Sequence, residues 1–377
     1  MTNLNIKHFF YFTILLNLVS VSAMCVSAAD SEVVKKRFQK LDTNRDGKLT
    51  GDEIVSDEVR KYDGDGDGTI TLDEANKVYA QLSTAGQSPK SDSDGKSEKT
   101  AESTPRTTRL AAGSIVTKDV RYIEMPGVEA NDQNLDIYAP ANAKHAPVLV
   151  YVHGGGWAKG DKKSVGGTAA FFNEHGYIYV SINYRLLPSG KHPININDVA
   201  SAMAWVHSNI AEHGGDPGQL FLYGHSAGAH LVALLATDET RLKAAGKDLG
   251  ILRGVIPLDT NAYDVPKIVQ GSDSSNIYAQ VFGSDPAMLK DAAPSAHVAP
   301  NKGIPPMLVF HSNTGFEMRN ENGKAFVDKL REAGVKVDFI PSPKQSHGAI
   351  NQQFGTENDM VTEAAMKFFN GLRVNIR

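Results

Sequence analysis

The chain has 377 residues and a formal net charge of −4, with 41% hydrophobic and 22% charged residues. That length calls for more than one folded unit, and the apolar share is enough for a sizeable core. The slight excess of acid excludes a protein built as a basic binder of nucleic acid or of an anionic membrane surface.

At the N-terminus, Lys7 and His8 precede an apolar run from Phe9 to about Met24, which ends in the small residues Val26-Ser27-Ala28-Ala29. A basic residue, an apolar stretch and a small-residue cleavage site form the order of a secretory signal peptide. Residues 1–29 are therefore read as a signal and the mature protein as secreted or periplasmic. The rival reading is an uncleaved anchor, because the run approaches the length of a membrane span. Cys25 is the sole cysteine. Met24 is too large for the position before a lipidated cysteine, and Cys25 leaves with the signal. The mature chain is then expected to have no disulfide and to rely on its core. No second apolar run of spanning length follows, so no membrane association is expected once the signal is removed.

Residues 30–80 are short, acidic and punctuated by Asp-Gly. Asp42-x-Asn44-x-Asp46-Gly47-x-Leu49-x-x-x-Glu53 places oxygen donors at the spacing of a calcium-binding EF-hand loop, and Asp63-x-Asp65-x-Asp67-Gly68-x-Ile70-x-x-x-Glu74 repeats it. Calcium takes about six to eight hard oxygens. Side chains at the first, third and fifth positions converge on it, Lys48 and Thr69 offer backbone carbonyls, and Glu53 and Glu74 close the shell. Leu49 and Ile70 are expected to pair the two loops as a small β-bridge. The loops start so close together that Ile54 to Tyr62 must serve as exit helix of one and incoming helix of the next. An acidic solvated turn is the plainer reading of one such loop, but two in tandem argue for a calcium module.

Residues 81–113 are rich in Ser, Thr, Lys and Asp and almost free of large apolar side chains. Such a stretch cannot bury enough area to offset its ordering entropy and reads as a disordered linker. From 114 to 377 short apolar runs alternate with helical patterns. Strands are expected at Ala146–Val152, Tyr177–Ile182, Leu220–Tyr223, Ile251–Leu258, Met307–His311 and Val335–Ile340. Helices are expected at 197–210, 227–236, 325–333 and 361–369. This alternation predicts an α/β domain, a mostly parallel, doubly wound sheet covered on both faces, preceded by the small α-helical EF-hand pair.

Three elements in this part carry chemistry. Gly224-His225-Ser226-Ala227-Gly228 follows a predicted strand and opens a predicted helix. That setting lifts the Ser226 hydroxyl out of the sheet at a sharp turn and makes it the candidate nucleophile. His153-Gly154-Gly155-Gly156-Trp157 follows another strand, and its glycines let backbone N–H groups approach a developing oxyanion. Gly155, Gly156 and the N–H of Ala227 are the expected donors. Ser346-His347-Gly348 lies beyond the strand Val335–Ile340, where a general base must follow the nucleophile. His347 is the candidate base, and His225 is read as a packing residue.

With His153 to Trp157, Asn183-Tyr184-Arg185-Leu186, Gly215-Asp216-Pro217 and Gly224 to Leu231, residues 115–373 resemble the secreted carboxylesterase-like α/β-hydrolases. These are related to hormone-sensitive-lipase-type esterases, and the bacterial and fungal feruloyl-esterase-like group is the most similar. The resemblance implies the α/β-hydrolase fold and hydrolysis of carboxylic esters with small acyl groups, without a catalytic cofactor. Residues 30–80 separately resemble bacterial EF-hand domains. One departure concerns the acid that holds the imidazole. In that family the strand before it runs into a His-Gly-x-x-Asp turn, whereas this chain reads His311-Ser312-Asn313-Thr314-Gly315-Phe316-Glu317, with Gly315 at the aspartate position. Glu317 is taken as the acid, with Asp264 or no acid at all as the alternatives.

The expected function is hydrolysis of a short-acyl, aryl or polysaccharide-linked ester through an acyl-enzyme on Ser226, with calcium in the EF-hand loops and no nucleic-acid partner. Two other readings stay open: a peptidase or arylamidase on the same fold, and a hydrolase-fold binding protein that has lost its acid.

Overall fold

The computed structural model describes residues 34–35, 38–39, 42, 46–50, 62–63, 67–84, 110–270, 276–312, 317–342 and 345–373, with the side chains of 79–84, 317–320 and 342 outside the description. The expected signal peptide, Asn44, Glu53, Asp65 and most of the expected linker lie outside the described residues. The chain divides into two compact units, residues 1–100 and 101–377.

In the first unit, β1 (Lys48–Thr50) pairs antiparallel with β2 (Thr69–Thr71), and Leu49 faces Ile70 across the pair. Helix α1 (Leu72–Thr84) follows and takes in residues 81–84, which were expected to begin the linker. Leu49 and Ile70 bury their side chains with Val34, Phe38 and Ala75, so the few apolar residues of this acidic segment make one small core. Gly47 and Gly68 both have positive φ, which the sharp turn of each loop demands.

The second unit is built on an eight-stranded sheet. Its strands are β3 (Ile115–Arg121), β4 (Asn134–Ala139), β5 (Ala146–Val152), β6 (Ile178–Ile182), β7 (Gly215–His225), β8 (Leu252–Leu258), β9 (Met307–Ser312) and β10 (Val337–Ser342). They lie in the order β10-β9-β8-β7-β5-β6-β4-β3. From β10 to β6 every pairing is parallel, and β4 and β3 add two antiparallel strands at the far edge.

Both faces of the central strands are apolar because two cores meet there. Along β5, Val148, Val150 and Val152 point into one core, and Leu149 and Tyr151 into the other; β7 divides Leu220 and Leu222 from Phe221 and Tyr223 in the same way. The period-two alternation thus assigns each side chain to a face, while the unbroken hydrophobic run reports burial on both. The first core takes in α3 (Ile194–Asn209), α4 (Ala227–Thr237) and, through Leu242, α5 (Glu239–Ala244). The second takes in α2 (Thr168–Glu174) and α12 (Met360–Leu372), with Phe172 and Phe369 fully buried. Between β8 and β9 run four short helices, α6 (Val265–Val269), α7 (Ile277–Phe282), α8 (Pro286–Asp291) and α9 (Pro294–His297). Asp264, Asn276 and Asp285 cap the first three by accepting from backbone N–H groups. No helix among the described residues is long and apolar enough to cross a membrane.

Candidate active site

Ser226 stands between the end of β7 and the start of α4. Its backbone is at φ 57°, ψ −116°, a region a non-glycine residue occupies only when its surroundings force it there. Close packing supplies the force. A Cβ on Gly224 would lie 2.5 Å from the carbonyl of Gly228, and one on Gly228 would lie 2.0 Å from the Val152 oxygen. Only glycine at both positions lets α4 press against β5 and β7 this tightly. The Ser226 N–H donates to Leu258 O at 3.1 Å, fixing the turn to β8.

His347 opens α11 (His347–Gln353), whose N-cap Ser346 accepts from Ala349 N. Its Nε2 lies 3.0 Å from Ser226 Oγ. Its Nδ1 lies 2.6 Å from Asp259 Oδ2. Asp259 directly follows β8 and is fully buried. The imidazole's partner is therefore Asp259, where Glu317 was expected with Asp264 as the alternative. Glu317 begins α10 (Glu317–Glu332), with its side chain outside the described residues. Asp264 is spent on capping α6, accepting from Lys267 N at 3.3 Å. The expectation followed the strand that carries the acid in similar sequences, which is β9 here. The carboxylate instead stands one strand nearer the nucleophile, directly after β8.

Strand β9 supports this carboxylate. Ser312 donates its N–H to Asp259 Oδ1 at 3.1 Å and its hydroxyl to Oδ2 at 2.6 Å. The buried ring of His311 places Nδ1 3.2 Å from Oδ1. Burial by itself would raise the pKa of Asp259, but His311, His347 and Ser312 together outweigh it and hold the carboxyl well below the usual range. A permanently ionised acid of this kind fixes the imidazole tautomer with Nδ1–H toward Asp259 and leaves the Nε2 lone pair facing the serine hydroxyl.

The triple-glycine loop abuts the nucleophile. A Cβ on Gly154 would lie 2.7 Å from His225 O and 3.2 Å from Ser226 Cβ. Gly155 has φ 114°, and a Cβ there would lie 2.0 Å from Lys159 O. Among the described residues neither the Gly155 nor the Gly156 N–H donates to another backbone group, so both are available for an oxyanion. The motifs at 183–186 brace this loop. Tyr184 stacks on His153 at 4.6 Å and donates its hydroxyl to His153 O at 2.9 Å. Asn183 Oδ1 accepts from Lys162 N at 2.6 Å. The buried Lys162 ammonium then reaches Asp136 at 2.5 Å and Asp119 at 2.7 Å. Arg185 grips Asp198 through both Nε and its terminal nitrogen. Sequence reading marked 183–186 only as a resemblance; their spatial role needs the fold.

Of the expected calcium ligands, Asp42, Asp46, Lys48, Asp63, Asp67, Thr69 and Glu74 lie within the described residues. Asp42 receives the N–H groups of Asp46 and Gly47, and Asp63 receives that of Gly68, the fold of a loop that turns its carboxylates inward. Asp63 Oδ1 is buried and has no hydrogen-bond partner among the described residues. An orphaned acceptor at the first ligand position fits a hard cation.

Comparison with known proteins agrees with this architecture. Residues 135–330 match the family model BD-FAE. Residues 34–56 and 60–78 match the EF hand model. Esterase LipQ of Mycobacterium tuberculosis is 30% identical over 269 residues, covering 67% of this chain and 61% of that protein. A probable isoprenylcysteine alpha-carbonyl methylesterase of Arabidopsis thaliana is 27% identical over 228 residues, covering 56% and 48%. The chain thus spans about half to three-fifths of the length of these curated relatives. Among solved structures, a truncated form of carbohydrate esterase from gut microbiota superposes with a TM-score of 0.57 at 23% identity, over 70% of this chain and 98% of that one, a likeness of fold.

Proposed function

This chain belongs to the BD-FAE family, and from that membership we propose that it is an exported serine hydrolase of carboxylic esters, acting through an acyl-enzyme on Ser226. The observation that carries the reading is the relay from Ser226 Oγ to His347 Nε2 at 3.0 Å and from His347 Nδ1 to Asp259 Oδ2 at 2.6 Å. Ser226 Oγ attacks the ester carbonyl while His347 Nε2 takes its proton, and Asp259 stabilises the imidazolium that results. The carbonyl oxygen becomes an oxyanion facing the N–H groups of Gly155, Gly156 and Ala227. When the tetrahedral adduct collapses, His347 returns the proton to the leaving alcohol. Water, deprotonated by the same imidazole, then releases the acid and restores Ser226. The esterase names of the curated relatives and the carbohydrate esterase among the structural neighbours support a short acyl, aryl or polysaccharide-linked ester as substrate. With Asp259 against His347, the motive for reading the chain as an acid-less binding protein falls away.

The N-terminal unit is proposed to hold calcium through Asp42, Asn44, Asp46, Lys48 O and Glu53 in one loop and Asp63, Asp65, Asp67, Thr69 O and Glu74 in the other. The bound ion would neutralise the converging carboxylates and so stabilise a unit with a very small core.

The test of catalysis is hydrolysis of p-nitrophenyl acetate by the mature protein and by Ser226→Ala, with a fluorophosphonate probe as a second readout. Turnover and labelling lost together in the variant are expected. A wild-type protein that neither turns over nor labels at Ser226 would defeat the proposal.

A further inference from the structure

His225 takes no part in the proton relay, yet it meets the base, the turn of the nucleophile and the glycine loop. It occupies the last position of β7, directly before the nucleophile and opposite Leu258 in the pairing with β8. Its side chain is buried and leaves the sheet on the side of the base. Its Nε2 lies 2.8 Å from the backbone oxygen of His347, which can only accept, so Nε2 carries the proton and donates. The two rings also pack face to face in a tilted arrangement, with centroids 4.5 Å apart at 36°. On its other side the ring meets the glycine loop: a Cβ on Gly154 would lie 3.3 Å from His225 Nδ1.

This matters because of how the base is mounted. Ser226 and Asp259 sit at the ends of adjacent paired strands, and their spacing is set by the sheet. His347 has no such support. It is the first residue of a helix of seven residues, and its side chain is a third exposed. Its segment is tied to the rest through Ile350, fully buried in the second core, and through Gln345, which donates to Asp359 Oδ1 at 2.7 Å. The backbone of His347 itself is held by the His225 bond.

We infer that His225 is a positioning residue that sets the distance between Ser226 and His347, by donating from Nε2 to the His347 carbonyl and by packing its ring against the imidazole. The inference rests on the ester-hydrolase reading. Its chemistry is geometric: a misplacement of the base by about 1 Å from the serine costs on the order of 100-fold in rate, while substrate binding is largely spared.

The test uses the full mature chain and three variants. His225→Ala removes bond and ring, His225→Phe keeps the ring and removes the donor, and His225→Gln keeps a donor at nearly the reach of Nε2. Turnover of p-nitrophenyl acetate is normalised to sites titrated with a fluorophosphonate, so that misfolded protein does not count. The expected result is a fall in kcat of about 10- to 100-fold for the Ala and Phe variants, KM within about twofold of wild type, and recovery to within about fivefold in the Gln variant. A structural role alone would lower the titrated fraction and leave kcat per site unchanged. Wild-type kcat per site in the Phe variant overturns the inference. So does failure of all three variants to fold, since His225 would then hold the fold and not the base. An inactive wild-type protein instead counts against the hydrolase reading, so the two failures are distinguishable.

Discussion

Replacing Asp259 by Asn is the sharpest perturbation of the proposed relay. The carboxylate meets Ser312 N and His311 Nδ1 at Oδ1, and Ser312 Oγ and His347 Nδ1 at Oδ2. Ser312 N can only donate, so the one oxygen of an Asn at this site is held by it, and the amide NH2 turns to where Oδ2 stood. The Ser312 hydroxyl can rotate and accept. The imidazole must instead present a lone pair at Nδ1, which puts its proton on Nε2, facing Ser226. A base already protonated toward its nucleophile cannot deprotonate it. The side-chain volume is unchanged and the fold should survive, so the cost falls on kcat. The expected loss is about 10³- to 10⁴-fold, equivalent to about 4–5.5 kcal/mol of transition-state stabilisation. The assay is steady-state hydrolysis of p-nitrophenyl acetate with circular dichroism as a folding control, and Glu317→Gln runs beside it with turnover expected within about threefold of wild type. A folded Asp259→Asn protein within tenfold of wild type would refute the reasoning. So would an equal loss in Glu317→Gln, which would return the acid to α10.

Two further outcomes are expected. His230 is fully buried between Trp157 and Phe282, and burial pushes its imidazole down to about 3, the bond to Ala292 O opposing and His192 adding to the shift. Unfolded, it titrates near the ordinary value of about 6.5, so between those limits the unfolded chain holds the extra proton and stability falls as pH drops. Near pH 4.5 this group should cost about 3 kcal/mol relative to neutral pH, and His230→Gln should flatten the urea-unfolding profile by about that amount; profiles that run parallel would show that the imidazole does not titrate as its burial demands. Because residues 85–109 carry no large apolar side chain through which to pass strain, stripping calcium with EGTA should lower the melting temperature of the N-terminal unit and leave ester turnover within about twofold. A larger fall in turnover on chelation would mean that the loops reach the catalytic unit.

The central strands were legible because burial on both faces writes itself as unbroken runs such as Ala-Pro-Val-Leu-Val-Tyr-Val at 146–152. The turn at Ser226 was legible because only Gly224 and Gly228 allow its packing. The antiparallel edge was missed: β3 is largely exposed and carries Lys118 and Asp119, and β4, though buried, interrupts its apolar residues with Asn134 and Asp136. The short helices between β8 and β9 were missed because pieces of four to six residues leave no helical period to read. The acid was missed for a different reason. Similar sequences keep it after β9, and the alternative Asp264 lies five residues beyond Asp259. A signal was available: Asp259 is the first residue beyond the apolar run of β8, at the carboxyl end where open parallel sheets place their chemistry. The links from Lys162 to Asp136 and from Tyr184 to His153 join residues far apart in the chain, and no spacing rule connects them.

The two ways of mounting the catalytic groups have a thermal corollary. Asp259 and Ser226 are anchored to neighbouring strands by their own amides, Asp259 N to Phe310 O and Ser226 N to Leu258 O, so they come loose only when the sheet melts. The imidazole stands at the start of a seven-residue helix tied to the core mainly through Ile350, and so short a segment opens at a lower free energy than the centre of a domain. Warming should therefore silence the protein while its sheet is still whole, and cooling should bring the reaction back without any refolding of the valine- and tyrosine-rich strands beneath it.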